Sequence, residues 1–317
     1  MEGGATCCYA IANMQKIRKI TTSAIPHRNG APATRTIYVL GAGFSKSCRV
    51  ATDAEMLRVL DDQMRATPKK DGTVTTDIQS LLNQNFEGVY VGFEHFMSTL
   101  AGLKYLPEFM KIDQNIFRQQ EKAVMKELRI YLENAAAQPS LASKDNPIGR
   151  FVDAVNWKED LIITFNYDLL LECAAKSRKI DTAKKILHLH GSLSDKKLVY
   201  PNFHKFAYRT KRDYFSARWK QAYDSLTVER ERLARIVFIG YSLPQSDFEA
   251  RSLFNYSDWY NFTSASEYVY SRIPLDRRHG YEIIVVNPDA RVIPNYSFFR
   301  KKITYHRLKL EDFVHLL

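Results

Sequence analysis

The chain has 317 residues, 45% of them hydrophobic and 12% aromatic, enough to bury a sizeable core without disulfide staples. Its four cysteines (Cys7, Cys8, Cys48 and Cys173) form no CxxC pair, which argues against a zinc ribbon or a disulfide framework and for free thiols in a reducing cytoplasm. With no apolar run of about 18 residues to span a bilayer and no secretory order at the N-terminus, a soluble cytoplasmic protein without a membrane partner is expected, and its formal net charge of +11 leans toward acidic partners.

Residues 1–35, with scattered basic residues and Pro26, Gly30 and Pro32 near their end, read as an arm or linker; a partner-binding segment or a transit peptide is the alternative. The ordered domain, 36–317, opens with TIYVL at 36–40, a β-branched and aromatic run that stops at Gly41-Ala42-Gly43. That pattern predicts a buried parallel strand feeding a tight turn. TDAE at 52–55 is a capping box, Thr52 at N-cap and Glu55 at N3, ahead of Met56, Leu57, Leu60 and Met64 at helical spacing. The signals stay helical to about residue 156, clearest in FEHFMSTLAGL and DQNIFRQQEKAVMKELRIYLENAA. A helical insert at about 50–156 is therefore predicted, either burying its own apolar stripes or forming a small domain that roofs a ligand cleft.

Strand signals return at 160–165, 186–190, 235–240 and 282–287, with helix-compatible stretches between them. Continuous apolar strands alternating with helices predict an α/β fold with a parallel sheet covered on both faces. In such sheets the ligand lies outside the carboxyl ends of the strands. The first strand ends in Gly41-Ala42-Gly43-Phe44-Ser45, where glycines let a backbone approach a phosphate and turn amides attract anions. Lys46 occupies the sixth fingerprint position, so the full GxGxxG is absent, and so is a GxxxxGK[ST] loop.

The second strand ends on Thr164, Asn166 and Asp168, which a turn can swing toward the cleft, although an Asn or Asp there also suits a helix cap. The third ends on His188, His190, Gly191 and Ser192. His188 is read as structural and His190 as a base able to titrate near neutral pH and reach a sugar hydroxyl. No carboxylate or thiol stands at metal spacing, so no metal site is predicted. The fourth ends in GYSLPQSD, where Gly240 and Ser242 offer donors and Ser246 or Asp247 caps the next helix; the fifth ends at Asn287-Pro288. Between Lys176 and Lys220 stand thirteen basic and three acidic residues, a local excess of +10. That segment reads either as a solvated face or as a surface for nucleic acid or an acidic protein.

Taken in order, GAGFS, TFNYD, LHGS, GYSLPQSD and VNP resemble the motifs of the sirtuin family. The resemblance implies a Rossmann-like sheet and NAD+. It assigns Gly41, Ala42, Gly43 and Ser45 to the pyrophosphate, and Asn166 to the nicotinamide ribose or the attacking water. Asp168 falls to the carboxamide side and His190 to the base at the ribose, and Thr164 belongs to the same motif as Asn166. Gly240, Ser242 and Asn287 take the rest of the dinucleotide. Protein-deacylating members carry a four-cysteine zinc module between the HG and G-x-S motifs, whereas residues 191–239 hold no cysteine here, and Phe165 replaces a glutamine of their T-Q-N-x-D motif. In both departures the chain is similar to zinc-free prokaryotic sirtuin-like effectors of anti-phage defence. These cleave NAD+ to nicotinamide and ADP-ribose and work as oligomers or with a sensor partner. A homo-oligomer or a sensor partner is accordingly expected. The rival expectations are a protein ADP-ribosyltransferase or deacylase, and an NAD or ADP-ribose sensor module without turnover.

Overall fold

A computed structural model describes residues 35–66, 92–93, 95–97, 114–182, 184–195, 209–227, 233–245, 247–269 and 281–317. Residues 1–34 of the arm expected at 1–35, residues 196–208 of the basic segment and most of FEHFMSTLAGL lie outside them, and Arg35 already belongs to the first strand. Six strands form one sheet: β1 (Arg35–Leu40), β2 (Leu161–Thr164), β3 (Ile186–His188), β4 (Leu233–Ile239), β5 (Glu282–Val286) and β6 (Ile303–His306). All neighbours run parallel, in the order β3-β2-β1-β4-β5-β6. This is the doubly wound order, in which the connections reverse direction between β1 and β4 and open a crevice there.

The strands are apolar on both faces because both faces are covered. Tyr38 and Leu40 of β1, Ile162 of β2, Val237 and Ile239 of β4 and Ile284 and Val286 of β5 share one core. That core is closed by α2 (Asp53–Ala66), α3 (Gln114–Ala136), α4 (Pro147–Ala154), α5 (Leu170–Ser177) and α8 (Leu310–Phe313), which follow the short helix α1 (Ala42–Ser45). The alternate residues Ile37, Val39, Leu161, Ile163, Ile236, Phe238, Ile283 and Val285 point the other way. Their cover is α6 (Arg209–Thr227), α7 (Phe248–Val269) and the 3-10 turn Ala290–Tyr296. Each fully buried side chain of this size contributes about 1.5–3 kcal/mol relative to exposure.

The described helices of the insert therefore bury their stripes directly on the sheet. Leu60 of α2, Leu128 and Leu132 of α3 and Phe151 of α4 lie in the same core as Tyr38, with Phe93, Phe96 and Met97 beside them. Phe151 sits edge-on to both Tyr38 and Phe44, at 5.1 Å from each ring. The predicted capping box forms from the Glu side: Glu55 accepts from the Thr52 amide at 3.0 Å and from its hydroxyl at 2.8 Å. Strand β6 was not legible in the sequence. It is a short edge strand whose residues are mostly half-buried, so ITYH lacks the continuous apolar run of the inner strands.

The sheet closes on itself at the crevice by backbone contact. Gly41 N donates to Ile239 O at 3.1 Å and Gly43 N to Gly240 O at 2.9 Å. A Cβ on Gly43 would lie 2.8 Å from Gly240 Cα, and one on Gly240 would lie 2.3 Å from Phe44 N, with Gly240 at φ +60°. Gly240 thus has both steric and conformational reasons to be glycine. Gly240→Ala is expected to cost about 3 kcal/mol or more through overpacking and strain, read as a lower denaturation midpoint with an unchanged m-value.

Candidate functional site

The carboxyl ends of β1, β2, β3 and β4 meet at the crevice, and Asn166 stands at its centre. Its side-chain Nδ2 donates to Gly41 O at 3.0 Å and to Ser45 Oγ at 2.9 Å, and Ser45 Oγ donates in turn to Asp168 Oδ2 at 2.7 Å. A backbone carbonyl can only accept, so the amide has one orientation, with nitrogen inward and Oδ1 left over. Asn166 is partly exposed, and Oδ1 accepts no hydrogen bond among the described residues. The main chain of Asn166 is fixed as well: its N–H donates to Thr164 Oγ1 at 3.1 Å, and its carbonyl lies 3.0 Å from His188 Nδ1.

Asp168 is buried, and burial pushes its carboxyl up against the pull of the Ser45 hydroxyl and the Leu170 amide. Leu170 N donates to Asp168 Oδ1 at 3.2 Å, so the residue also caps the start of α5. His188 has its other nitrogen, Nε2, 2.5 Å from Glu172 Oε1 in the first turn of that helix. Both partners of this ring accept, which favours the imidazolium. Burial alone would depress its pKa, but the Glu172 carboxylate outweighs burial and holds it above the ordinary histidine value.

The turn after β3 is held from two sides of the sheet. Gly191 has φ +83°, in the left-handed region that favours glycine. Asp195 accepts from the Ser192 amide at 2.8 Å and takes a two-pronged bond from Arg218 of α6 at 2.8 and 2.9 Å. Burial opposes charge on Asp195, yet Arg218 and the Ser192 amide bring its carboxyl below the ordinary range. Arg129 of α3 donates to the carbonyls of Leu193 at 2.8 Å and Asp195 at 3.0 Å.

His190, on this turn, is 1% exposed. Its ring is edge-on to Phe165 at 5.0 Å, and Phe165 stacks flat on Tyr241 at 4.4 Å and 4°. Nε2 lies 3.3 Å from Asp247 Oδ2 but off the hydrogen-bonding direction, so neither ring nitrogen has a hydrogen-bond partner among the described residues.

Of the sequence-predicted residues, Gly41, Ser45, Thr164, Asn166 and Asp168 form one bonded cluster, and Gly43 and Gly240 lie against it through the backbone. Ala42 opens the short helix α1 within that turn. Ser242 is exposed, and its carbonyl accepts from Asn295. Asn287, at the end of β5, spends its side-chain oxygen on the Asp289 amide at 2.9 Å and does not join the bonded cluster. Lys46, at the sixth fingerprint position, pairs with Glu55 at 2.9 Å. Within the basic segment, Arg178 binds Asp153, Lys185 binds the Lys158 carbonyl, Arg218 binds Asp195 and Lys220 binds Asp224, so part of that charge is answered within the fold. No group of three or more His, Cys, Asp or Glu side chains among the described residues is placed to hold a metal. No described helix is long and apolar enough to cross a membrane.

Residues that sequence reading missed are Glu172, Asp195, Arg129 and Arg218, whose roles depend on long-range packing. Asp247 and Tyr241 were read only as a cap and as part of a motif.

A doubly wound α/β fold with a polar cluster at its switch point is what these elements define. A scan against protein-family models finds no match, and neither does a comparison with curated proteins. Among solved structures, the chain is similar to a Sir2 homologue in complex with NAD at 16% identity and TM-score 0.42, over 89% of this chain and 87% of that one. A substituted Sir2 homologue in complex with ADP-ribose aligns at 17% identity and TM-score 0.44, over 89% and 90%. A Sir2 protein bound to a propionylated peptide aligns at 13% and 0.38, over 88% and 90%. Function is therefore read from the site itself.

The His188–Glu172 pair gives the site a pH dependence. A histidine whose folded pKa is raised contributes stability that is fully present below the unfolded value of about 6.5 and lost as pH rises through the folded value. The melting temperature of the wild type is expected to fall between pH 6 and 8.5 by more than that of Glu172→Gln, measured by calorimetry in matched buffers.

Proposed function

We propose that the protein is a zinc-free, sirtuin-like NAD+ glycohydrolase that cleaves NAD+ to nicotinamide and ADP-ribose. The observation that carries this reading is the orientation of Asn166. Gly41 O and Ser45 Oγ hold its nitrogen, which leaves a carbonyl dipole at the switch-point crevice.

The nicotinamide–ribose bond breaks with its electron pair moving to the pyridinium ring, so nicotinamide leaves neutral and positive charge develops on the ribose. A fixed carbonyl oxygen near that charge stabilises it. The same oxygen can accept from a ribose hydroxyl or from the attacking water. Because Ser45 and Asp168 fix the amide beforehand, little reorganisation is needed as charge develops. His190 supplies two ring nitrogens without hydrogen-bond partners among the described residues, which suits a group that must receive a proton. Gly41 and Gly43 let the β1 turn lie close to β4, and a pyrophosphate beside α1 fits the exposed side of that turn. Ala42, Gly240, Ser242 and Asn287 complete the dinucleotide site in this reading.

The biological setting that fits is depletion of NAD+ in anti-phage defence, switched on by self-assembly or by a sensor partner. The sequence motifs and the absence of cysteine from residues 191–239 support it. The exposed Lys176, Lys179, Lys184 and Lys220 belong to the surface we assign to an acidic protein or nucleic acid.

Purified protein at low and high concentration, incubated with NAD+, is expected to release nicotinamide, with release rising more steeply than linearly with protein concentration if assembly is the switch. Asn166→Ala should lower release about 100-fold or more, with its melting temperature close to that of the wild type. Equal release by both proteins, or tight NAD+ binding with no turnover at either concentration, overturns the reading.

A further inference from the structure

Asp247 precedes α7 and is 1% exposed. Its Oδ1 accepts from the Ala250 amide at 3.3 Å, the ordinary duty of a helix cap. A serine or asparagine would cap the helix equally well without burying a charge, so the cap does not explain the carboxylate. Its other oxygen does. Oδ2 accepts from the Tyr241 hydroxyl at 2.8 Å and faces His190 Nε2 at 3.3 Å. Tyr241 is itself locked: its carbonyl accepts from the Tyr296 hydroxyl, its ring is stacked on Phe165, and a Cβ on Gly41 would lie 2.5 Å from its Cα. The carboxylate is therefore held by a rigid partner, 3.3 Å from one nitrogen of the imidazole.

We infer that Asp247 is a positioning residue that keeps the His190 proton on Nε2 and so leaves Nδ1 as the base of the site. The inference rests on the glycohydrolase reading for its catalytic consequence. A carboxylate only accepts, so the nitrogen that faces it must carry the hydrogen, and the lone pair of a neutral ring then lies on Nδ1. Nδ1 is buried and has no hydrogen-bond partner among the described residues, as expected of an atom whose partner is the substrate's hydroxyl or the attacking water. Bonds to a catalytic base are often misaligned before substrate binds, and a small rotation of the ring would align Nε2 with Oδ2. In the reaction the C1′–nitrogen pair leaves with nicotinamide, the water oxygen bonds to C1′, and one water proton passes to Nδ1. Asp247 then faces the imidazolium until that proton returns to solvent. Among the described residues, ionisable groups that face the ring include the Asp247 carboxylate and Tyr241 phenol from the loop after β4, and the Tyr167 phenol from the turn after β2, its ring 6.4 Å away.

The test is Asp247→Asn in the full chain. Asparagine keeps the cap through its oxygen, and its nitrogen donates where Oδ2 accepted, so the Tyr241 hydroxyl can turn to accept and the imidazole is driven to the other tautomer. Expected are a kcat for NAD+ hydrolysis lower by about 10²- to 10⁴-fold, a KM within about twofold and an unchanged melting temperature. Long-range proton–nitrogen spectra, with His190 assigned by its loss in His190→Gln, should place the proton on Nε2 in the wild type and on Nδ1 in Asp247→Asn. A merely structural role for Asp247 would not move that proton. Asp247→Ser, which caps but carries no carboxylate, provides the same kinetic test if the first variant does not fold. A kcat within about threefold of the wild type in the folded variant, or a wild-type proton on Nδ1, overturns the inference. Failure of the wild type itself to hydrolyse NAD+ refutes the glycohydrolase reading instead, and the two ring spectra still decide the pairing.

Discussion

The cleft depends on one close approach, the turn after β1 lying backbone against backbone on the end of β4. Gly41, Gly43 and Gly240 make it possible because no side chain intervenes, and two amide bonds to Ile239 and Gly240 hold it. The contact also sets the direction of the Gly41 carbonyl, which anchors the Asn166 amide. From there the order passes through Ser45 to Asp168 and the start of α5. An amide side chain just beyond β2 is thus oriented by a steric constraint between β1 and β4. This explains why glycines with their amides turned inward are still central to the site.

Acidic groups around the crevice are each answered differently. Asp168 meets a hydroxyl and a helix amide, Asp195 meets an arginine, Glu172 meets a histidine, and Asp247 meets a phenol and faces an imidazole. Among these, only the Asp195–Arg218 pair has two-pronged geometry, and it answers a buried carboxylate with a part-exposed guanidinium. The others set a carboxylate against a hydroxyl, a phenol or an imidazole, and each contact fixes the direction of a side chain. Such arrangements concentrate where chemistry needs orientation.

The sheet was legible because its inner strands are short apolar runs bounded by turn residues, and a parallel sheet is the one setting in which both faces of a strand must be apolar. β6 escaped because an edge strand lies under no such demand. The bonded cluster was legible through Gly41, Ser45, Asn166 and Asp168, since residue types at strand ends carry local signals. What was hidden is the set of partners brought in by packing: Glu172 one helix turn beyond Asp168, Arg129 on the insert and Arg218 within the basic run. Nothing in the order of residues distinguishes Arg218 from its solvated neighbours. Asp247 was visible as a cap, and its second oxygen had no signature until the fold put Tyr241 and His190 against it.

Arg129 and Arg218 reach the same short turn from opposite layers, one from α3 over the first core and the other from α6 over the second. The turn that carries His190 is therefore a rivet through the sheet's end, and it cannot open without loosening a helix on each side. Its local opening free energy belongs to both layers together, so it is expected to exchange its amides with them as one cooperative unit. A load applied to the outer surface of either helix would be felt at the turn that carries the imidazole.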